Sequence, residues 1–231
     1  MKIALIGYGA MGRLIHRLAE EKGHEVSVVI DEADSGLDEA ELAAKLSGSD
    51  VAIDFTVAAA VRRNVGACVA AGVPIVVGTT GWLYDRAETE NIVAEGRGSL
   101  VFGANFSIGV NIFYRIADFA AEIIAKFPEY EAFIEEQHHS RKKDAPSGTA
   151  LKIKEVITKH VEVGDIAATR AGNIPGTHTV GFDGPADQIM LTHTARSREG
   201  FALGAITAAE WIVGKTGFYD FAEVIDEVIS V

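Results

Sequence analysis

Residues 2–31 constrain the fold more tightly than any other stretch of the chain. Lys2-Ile3-Ala4-Leu5-Ile6 is a short apolar run of the buried-strand type, and Gly7-Tyr8-Gly9-Ala10-Met11-Gly12 is a G-x-G-x-x-G turn. Arg13 to Lys22 then carries Leu14, Ile15, Leu18 and Ala19 at helical spacing, and a second strand, Glu25 to Ile30, ends at Asp31. Strand, glycine turn, helix, strand and terminal acid in this order specify a βαβ unit that binds a dinucleotide. Gly7 permits the tight turn, Gly9 lets a pyrophosphate approach the backbone, and Gly12 lets the helix pack on the strand. Tyr8, Ala10 and Met11 complete the cofactor turn, and Asp31 is placed to accept the ribose hydroxyls. The plainer alternative is a set of glycines that only tighten a βα turn, with Asp31 on the surface.

The alternation continues for a hundred residues. Strands are expected at 2–6, 25–30, 51–54, 74–77 and 99–102, with helices near 10–22, 38–47, 57–71 and 83–95. This order implies an α/β domain of Rossmann type, a parallel sheet covered on both faces, with ligands gathered at the carboxyl ends of its strands. Asp54-Phe55-Thr56, Gly78-Thr79-Thr80-Gly81 and Gly103-Ala104-Asn105-Phe106 all fall at that edge. Each alone is compatible with a simple turn; their coincidence with Gly7–Gly12 favours a cofactor groove. After residue 106 the pattern changes to a long helix, roughly Ile108 to Lys126, with Ile112, Ile116, Phe119, Ala120 and Ile123 on one face. Strand-like segments at 129–138, 165–171, 176–183 and 187–195 then imply a second, α+β domain. Two last helices, about 201–214 and 219–229, are expected to return to the first. The expected domains are 1–106 plus 205–231, and 107–204.

A chain of 231 residues can bury a substantial core. Its net charge of −12 argues against a nucleic-acid surface, because basic residues are scattered apart from one cluster at 138–143. The single cysteine, Cys68, sits in a helical pattern with Val61, Val65 and Val69 and reads as a small core residue. No leader, lipidation motif or apolar run of about 18 residues is visible, so no membrane partner and a cytoplasmic location are expected.

The basic cluster lies in Glu136-Gln137-His138-His139-Ser140-Arg141-Lys142-Lys143-Asp144-Ala145-Pro146-Ser147-Gly148-Thr149-Ala150. An alternating strand delivers His138 and His139, a loop carries Lys142, and Pro146 to Thr149 reads as the cap and first turn of a helix. The helix N-terminus offers N–H groups around Gly148 and Thr149, so the segment reads as a seat for a small dianion. An ordinary solvated turn is the competing reading. Metal binding is weaker, because the histidines are adjacent and no zinc-ligand spacing occurs; no metal is expected.

These residues carry a resemblance. The Glu136–Ala150 segment, with Gly7–Gly12, Asp54-Phe55-Thr56, Gly78–Gly81, Asn105-Phe106-Ser107-Ile108-Gly109 and Arg170-Ala171-Gly172, resembles the 4-hydroxy-tetrahydrodipicolinate reductase family over nearly the whole chain. The resemblance implies reduction by NADH or NADPH of a cyclic dicarboxylate to tetrahydrodipicolinate, in the diaminopimelate route to lysine. It implies that His138 and Lys142 form an acid–base pair, that His139 contacts substrate, and that Gly148 and Thr149 clamp a carboxylate. It further implies cofactor contacts at Gly7–Gly12, Asp31, Gly78, Thr79, Thr80, Gly103, Ala104, Asn105 and Phe106, and a homotetramer formed through the second domain, which would also bind substrate. Some members have one residue more in the glycine turn, which blurs the correspondence at Ala10 and Met11.

Chemistry points the same way. A hydride arriving at an unsaturated ring leaves negative charge that a cation must stabilise or protonate, and Lys142 is the natural donor. Lys142 as a purely electrostatic contact and His138 as a purely orienting group remain open. So do two rival functions, another two-domain nicotinamide dehydrogenase and a non-catalytic dinucleotide-binding regulator. Asp31-Glu32-Ala33-Asp34-Ser35 would repel a 2′-phosphate, and no lysine or arginine lies between residues 23 and 44, so NADH is expected to be preferred. Val180, Phe182, Ile189 and Leu191 suggest a sheet surface that something covers, either another copy of the chain or the domain's own helices.

Overall fold

The computed structural model describes residues 1–230. In chain order the elements are β1 (Lys2–Ile6), α1 (Ala10–Glu21), β2 (Glu25–Ile30), α2 (Glu39–Leu46), β3 (Val51–Asp54), α3 (Ala58–Ala71), β4 (Ile75–Val77), α4 (Arg86–Glu95) and β5 (Ser99–Phe102). Then come α5 (Ile108–Ile124), β6 (Glu131–His138), α6 (Gly148–Ile157), β7 (Ala167–Arg170), β8 (Thr177–Asp183) and β9 (Gln188–Thr194). The last three are α7 (Glu199–Ile212), β10 (Gly217–Asp220) and α8 (Phe221–Ile229).

The chain divides into two compact units. The first comprises Met1–Ser107 and the segment from Glu199 onward, so the return to it begins with α7 as one continuous helix. Its six strands run parallel in the order β10-β5-β4-β3-β1-β2. β10 was not anticipated: Gly217-Phe218-Tyr219-Asp220 is too short and too weakly alternating to stand out, and its pairing with β5 makes it a strand. β1, β3, β4 and β5 are short and almost wholly buried, as the inner strands of a sheet covered on both faces must be, whereas the edge strand β2 alternates exposed and covered positions. β1 lies between β2 and β3, so the chain reverses its direction of travel across the sheet there, and the carboxyl ends of β1 and β3 flank the crevice where ligands of such folds bind. Cys68 is buried in this core beside Val65 and Ala67, and burial pushes its thiol pKa well up, so it is a packing residue.

The second unit is Ile108–Arg198. Its mixed sheet has the order β7-β6-β8-β9, with β7 parallel to β6 and the other pairs antiparallel. Phe113, Ala117, Ala121 and Ile124 of α5 pack with Ile153, Val156 and Ile157 of α6 over Ile134, Val180 and Phe182 of the sheet. Each large aliphatic or aromatic side chain so buried contributes about 1.5–3 kcal/mol relative to exposure.

The structure shows which apolar faces of the second unit are covered. The face of α5 defined by Ile112, Ile116, Phe119 and Ile123 is exposed, whereas the buried stripe is Val110, Phe113, Ala117, Ala121 and Ile124. Val180 and Phe182 are fully buried beneath the unit's own helices, with Leu191 packed against the same core, so they do not mark an intermolecular surface; Ile189 is exposed.

Candidate active site

The glycine turn has the form a diphosphate requires. Gly7 has φ +92°, and a Cβ on it would stand 2.3 Å from the Phe55 carbonyl oxygen. A Cβ on Gly12 would stand 2.1 Å from the Gly7 oxygen, so both positions are closed to larger residues. A Cβ on Gly9 would meet nothing within 4 Å. Gly9 is also the N-cap of α1 and makes no side-chain cap, which leaves the helix start open to an anion. The cradle therefore fits a dinucleotide diphosphate.

Around it the structure separates side chains that serve the protein from backbone that can serve a ligand. Asp54 is wholly buried and accepts from the Thr56 N–H (2.9 Å), the Thr56 hydroxyl (2.7 Å), the Thr79 hydroxyl (2.9 Å) and Asn64 Nδ2 (2.8 Å). Burial raises its pKa and these four bonds only partly oppose that. The knot fixes the loops after β3 and β4, so the Thr79 side chain is already committed. Phe106 is likewise a core ring, 4.6 Å from Phe221 and 6.4 Å from Phe55. Thr79 and Phe106 can serve a cofactor through their backbone only. Gly78 is forced by the Phe55 ring, 2.1 Å from its would-be Cβ, while Gly103 abuts Phe221; Asn105 Oδ1 accepts from the Ser107 N–H at 2.9 Å.

Asp31 ends β2 and caps a short 3₁₀ turn, its Oδ1 accepting from the Ala33 N–H at 2.9 Å. Two cations stand closer to this turn than the sequence window suggested. Lys45 pairs with Asp34, and Arg63 from α3 donates to the Ser35 oxygen (2.7 Å) and the Leu37 oxygen (3.2 Å). Arg13 Nε donates to the Tyr8 oxygen at 3.1 Å, its guanidinium lying over the Tyr8 ring, whose hydroxyl meets His16.

In the second unit, three adjacent strands deliver one polar cluster. Register places Glu136 opposite His178 on β8, and His138 beside Arg170 on β7. Glu136 and His138 share the parity of buried Ile134, and His178 that of buried Val180 and Phe182, so all are on the core-facing side of the sheet. Glu136 Oε1 accepts from Arg170 (2.6 Å) and from the Ser147 N–H (3.1 Å), while Oε2 lies against His138 Nδ1. Burial raises the Glu136 pKa, but Arg170, His138 and the Ser147 N–H together bring it below the usual range. Burial holds the His138 pKa down despite Glu136, with Lys142 and Arg170 acting in the same direction as burial. His178, packed edge-on to His138 at 5.1 Å and paired through Nε2 with Ser147 Oγ at 3.1 Å, is pushed down to about 4 by burial first and by His138 next.

His139 follows the strand, half-buried, with an Nδ1 that is shielded from solvent and has no hydrogen-bond partner among the described residues. Lys142 is paired with Asp144 at 2.9 Å, and Arg141 with Asn173 at 2.9 Å, so the basic loop is braced by ion and hydrogen-bond partners. Ser147 caps α6 by accepting from the Ala150 N–H at 3.2 Å. Gly148 opens the first turn with free space where a Cβ would stand. Thr149 hydrogen-bonds to Tyr114, whose own pKa burial pushes up to about 12. Glu136, His138 and His178 each place one ligand-type atom within 4.8 Å of the others, a cluster that sequence spacing did not reveal. Arg170 is already bonded to the Glu136 carboxylate, so a permanent cation partners the acid of this cluster.

The N-terminal and C-terminal profiles of dihydrodipicolinate reductase match residues 1–106 and 109–225. The chain belongs to the dihydrodipicolinate reductase family. A 4-hydroxy-tetrahydrodipicolinate reductase of Christiangramia forsetii is 37% identical over 100% of both chains. The enzyme of that name from Archaeoglobus fulgidus is 38% identical over 96% of this chain and 100% of its own. A dipicolinate-bound dihydrodipicolinate reductase from Paenisporosarcina sp. TG-14 superposes with a TM-score of 0.78 over 96% of this chain and 99% of that one, at 22% identity, which bears on the fold alone. Reasoning from sequence placed His138, His139, Lys142, Gly148 and Thr149 in one segment, and the second unit holds them on β6, the loop after it and α6. It assigned no role to Glu136, Arg170 or His178. The available signal was strand parity, which puts Glu136 and His178 among apolar core positions where an unpaired polar group is costly.

Proposed function

We propose that the protein acts as a 4-hydroxy-tetrahydrodipicolinate reductase, reducing a cyclic dicarboxylate to tetrahydrodipicolinate with NAD(P)H in the diaminopimelate route of lysine biosynthesis. The observation that carries this reading is the second unit's junction of β6, the Lys142 loop and the α6 N-terminus, within a chain that matches named reductases along its whole length. NAD(P)H, when bound, supplies the hydride. The cofactor residues are Gly7, Tyr8, Gly9, Ala10, Met11 and Gly12 at the diphosphate, Asp31 at the ribose, and the backbone of Gly78, Thr79, Thr80, Gly103, Ala104, Asn105 and Phe106. Lys142, steadied by Asp144, donates the proton that neutralises charge left on the substrate. His138 is neutral at pH 7 because burial holds its pKa down, so it accepts a proton or a hydrogen bond. Gly148, Thr149 and His139 hold the carboxylates.

NADH is the preferred cofactor in this reading. Asp31 has no cation bonded to its carboxylate among the described residues, and Lys45 and Arg63 are engaged with Asp34 and with main-chain carbonyls. The enzyme works in the cytoplasm; among the described residues no helix is long and apolar enough to cross a membrane. It assembles as a homotetramer through the second unit, whose exposed Ile112, Ile116, Phe119 and Ile123 form an apolar stripe of the kind that marks association surfaces.

The test follows reduced-nicotinamide absorbance while a synthase generates the substrate in situ. Turnover is expected, with competitive inhibition by pyridine-2,6-dicarboxylate and much weaker inhibition by the monocarboxylate. NADH binding without turnover would indicate a regulator instead, and equal potency of the two inhibitors would remove the second carboxylate contact.

A further inference from the structure

Glu136 is a carboxylate with no solvent-exposed side-chain surface, and it is the point where the parts of the substrate site meet. Oε1 receives Arg170 of β7 and the main-chain N–H of Ser147, the residue that caps α6. The same Arg170 nitrogen donates to the Asp144 main-chain oxygen at 2.6 Å, and Asp144 in turn holds Lys142. Oε2 lies against His138 Nδ1, and both atoms are shielded from water with no hydrogen-bond partner elsewhere among the described residues. Two such atoms in contact are reconciled by one proton on Nδ1, because two bare lone pairs would repel and leave both groups buried and unsatisfied. At the other end of the ring, Gly176 has φ +133°, and a Cβ there would stand 3.1 Å from Nε2, so the backbone at the start of β8 leaves that nitrogen room.

We propose that Glu136 is the positioning residue of this site: it fixes His138 in the Nδ1–H tautomer, turns Nε2 toward the substrate, and through Arg170 and Ser147 sets the Lys142 loop and the α6 N-terminus. The inference rests on the proposed reductase reading, in which His138 and Lys142 serve the reaction. An imidazole oriented by a carboxylate at one nitrogen works with the other, and loss of the carboxylate leaves the ring free to take the wrong tautomer. Arg170 keeps Glu136 ionised, so the carboxylate acts as an acceptor and does not itself give up a proton to substrate.

The test is ¹⁵N-histidine NMR of the full chain at pH 7.5 with steady-state kinetics of Glu136→Gln and Glu136→Asp. The wild type is expected to show His138 with its proton on Nδ1. Glu136→Gln should lower kcat on the order of 10–100-fold, leave KM for the reduced nicotinamide unchanged, and move the His138-dependent limb of the kcat profile to lower pH. That direction follows because the lost charge no longer favours the imidazolium. Glu136→Asp should recover part of kcat. A wild-type His138 protonated on Nε2, or a Glu136→Gln enzyme with unaltered kcat and pH profile, overturns the proposal. Absence of wild-type turnover counts against the reductase reading instead, and the tautomer, read without catalysis or any variant, still decides the role of Glu136.

Discussion

His178 makes stability of the second unit depend on pH in a way that can be worked out. Its side chain is buried, its folded pKa is about 4 and its ordinary value 6.5, so between these limits the unfolded chain binds the proton that the folded chain refuses. Stability therefore rises with pH across the window and is lost as pH falls from about 6.5 toward 4. Two and a half units at about 1.36 kcal/mol each, less the half-protonation reached at pH 4, give about 3 kcal/mol from this one group. His178→Gln is the informative perturbation, since an amide can meet Ser147 Oγ near the position of Nε2 and never ionises. Urea unfolding of both proteins at pH 7, 6, 5 and 4, followed by far-ultraviolet circular dichroism, cancels the carboxylates common to both. Trp82 and Trp211 both lie in the first unit, so tryptophan fluorescence is the wrong probe. The variant should gain about 3 kcal/mol on the wild type between pH 7 and pH 4. A constant difference across that range would show that His178 titrates normally in the fold and would refute the reasoning.

Lys142→Met should lower kcat on the order of 10²-fold with cofactor binding unchanged, as the stopped-flow and equilibrium titrations will show; a near-normal kcat removes Lys142 as donor. Thr149→Val should chiefly raise KM for substrate, and an unchanged KM would confine the hydroxyl to its bond with Tyr114. Asp31→Ala should narrow the NADH preference in kcat/KM, since a 2′-phosphate 4 Å from a carboxylate is repelled by roughly 1 kcal/mol even in water. A wild type that prefers NADPH tenfold would instead point to Arg63 or Arg13 as the phosphate reader. Light scattering should find a tetramer, and Phe119→Glu should shift it toward smaller species; a particle of the 24.6 kDa chain mass at micromolar concentration contradicts assembly.

The first unit was legible because its inner strands are nearly continuous apolar runs separated by helices, and because glycines recur where backbone must approach backbone. Gly7 and Gly12 are fixed because a Cβ at either would stand 2.3 or 2.1 Å from a main-chain oxygen, too close for any side chain. What the sequence could not separate was backbone service from side-chain service: Thr79 and Phe106 occupy the right loops, but their side chains belong to Asp54 and to the aromatic core. Nor could it bring Arg63 to the turn that follows Asp31, since Ser35 and Arg63 lie 28 positions apart and only tertiary structure joins them. Glu136 and His178 were legible in principle, through the parity each shares with buried apolar neighbours, but a charged residue at a core-facing position reads as an error in the pattern until Arg170 and Ser147 are seen to satisfy it.

Which face of α5 is buried was not legible in the sequence, and the reason separates packing from hydrophobicity. The helix is apolar on two sides, and the stripe with the larger side chains, Ile112, Ile116, Phe119 and Ile123, looks like the core face by the amount of area it would bury. The unit buries the other stripe because Ala117 and Ala121, one turn apart, let α6 approach closely enough for Ile153 and Ile157 to fill the space between helix and sheet. Bulky residues at 117 and 121 would hold the helices apart and leave Val180 and Phe182 poorly covered. A helix whose small residues face inward and whose large apolar residues face outward has its own core satisfied and keeps area for a second surface. The outer stripe therefore stands apart from the monomer's core: Phe119→Glu should leave the unfolding midpoint of the isolated chain nearly unchanged while weakening assembly, whereas Ala121→Leu should overpack the core and cost about 1–3 kcal/mol. Equal loss of monomer stability in both variants would mean that the exposed stripe supports the fold itself.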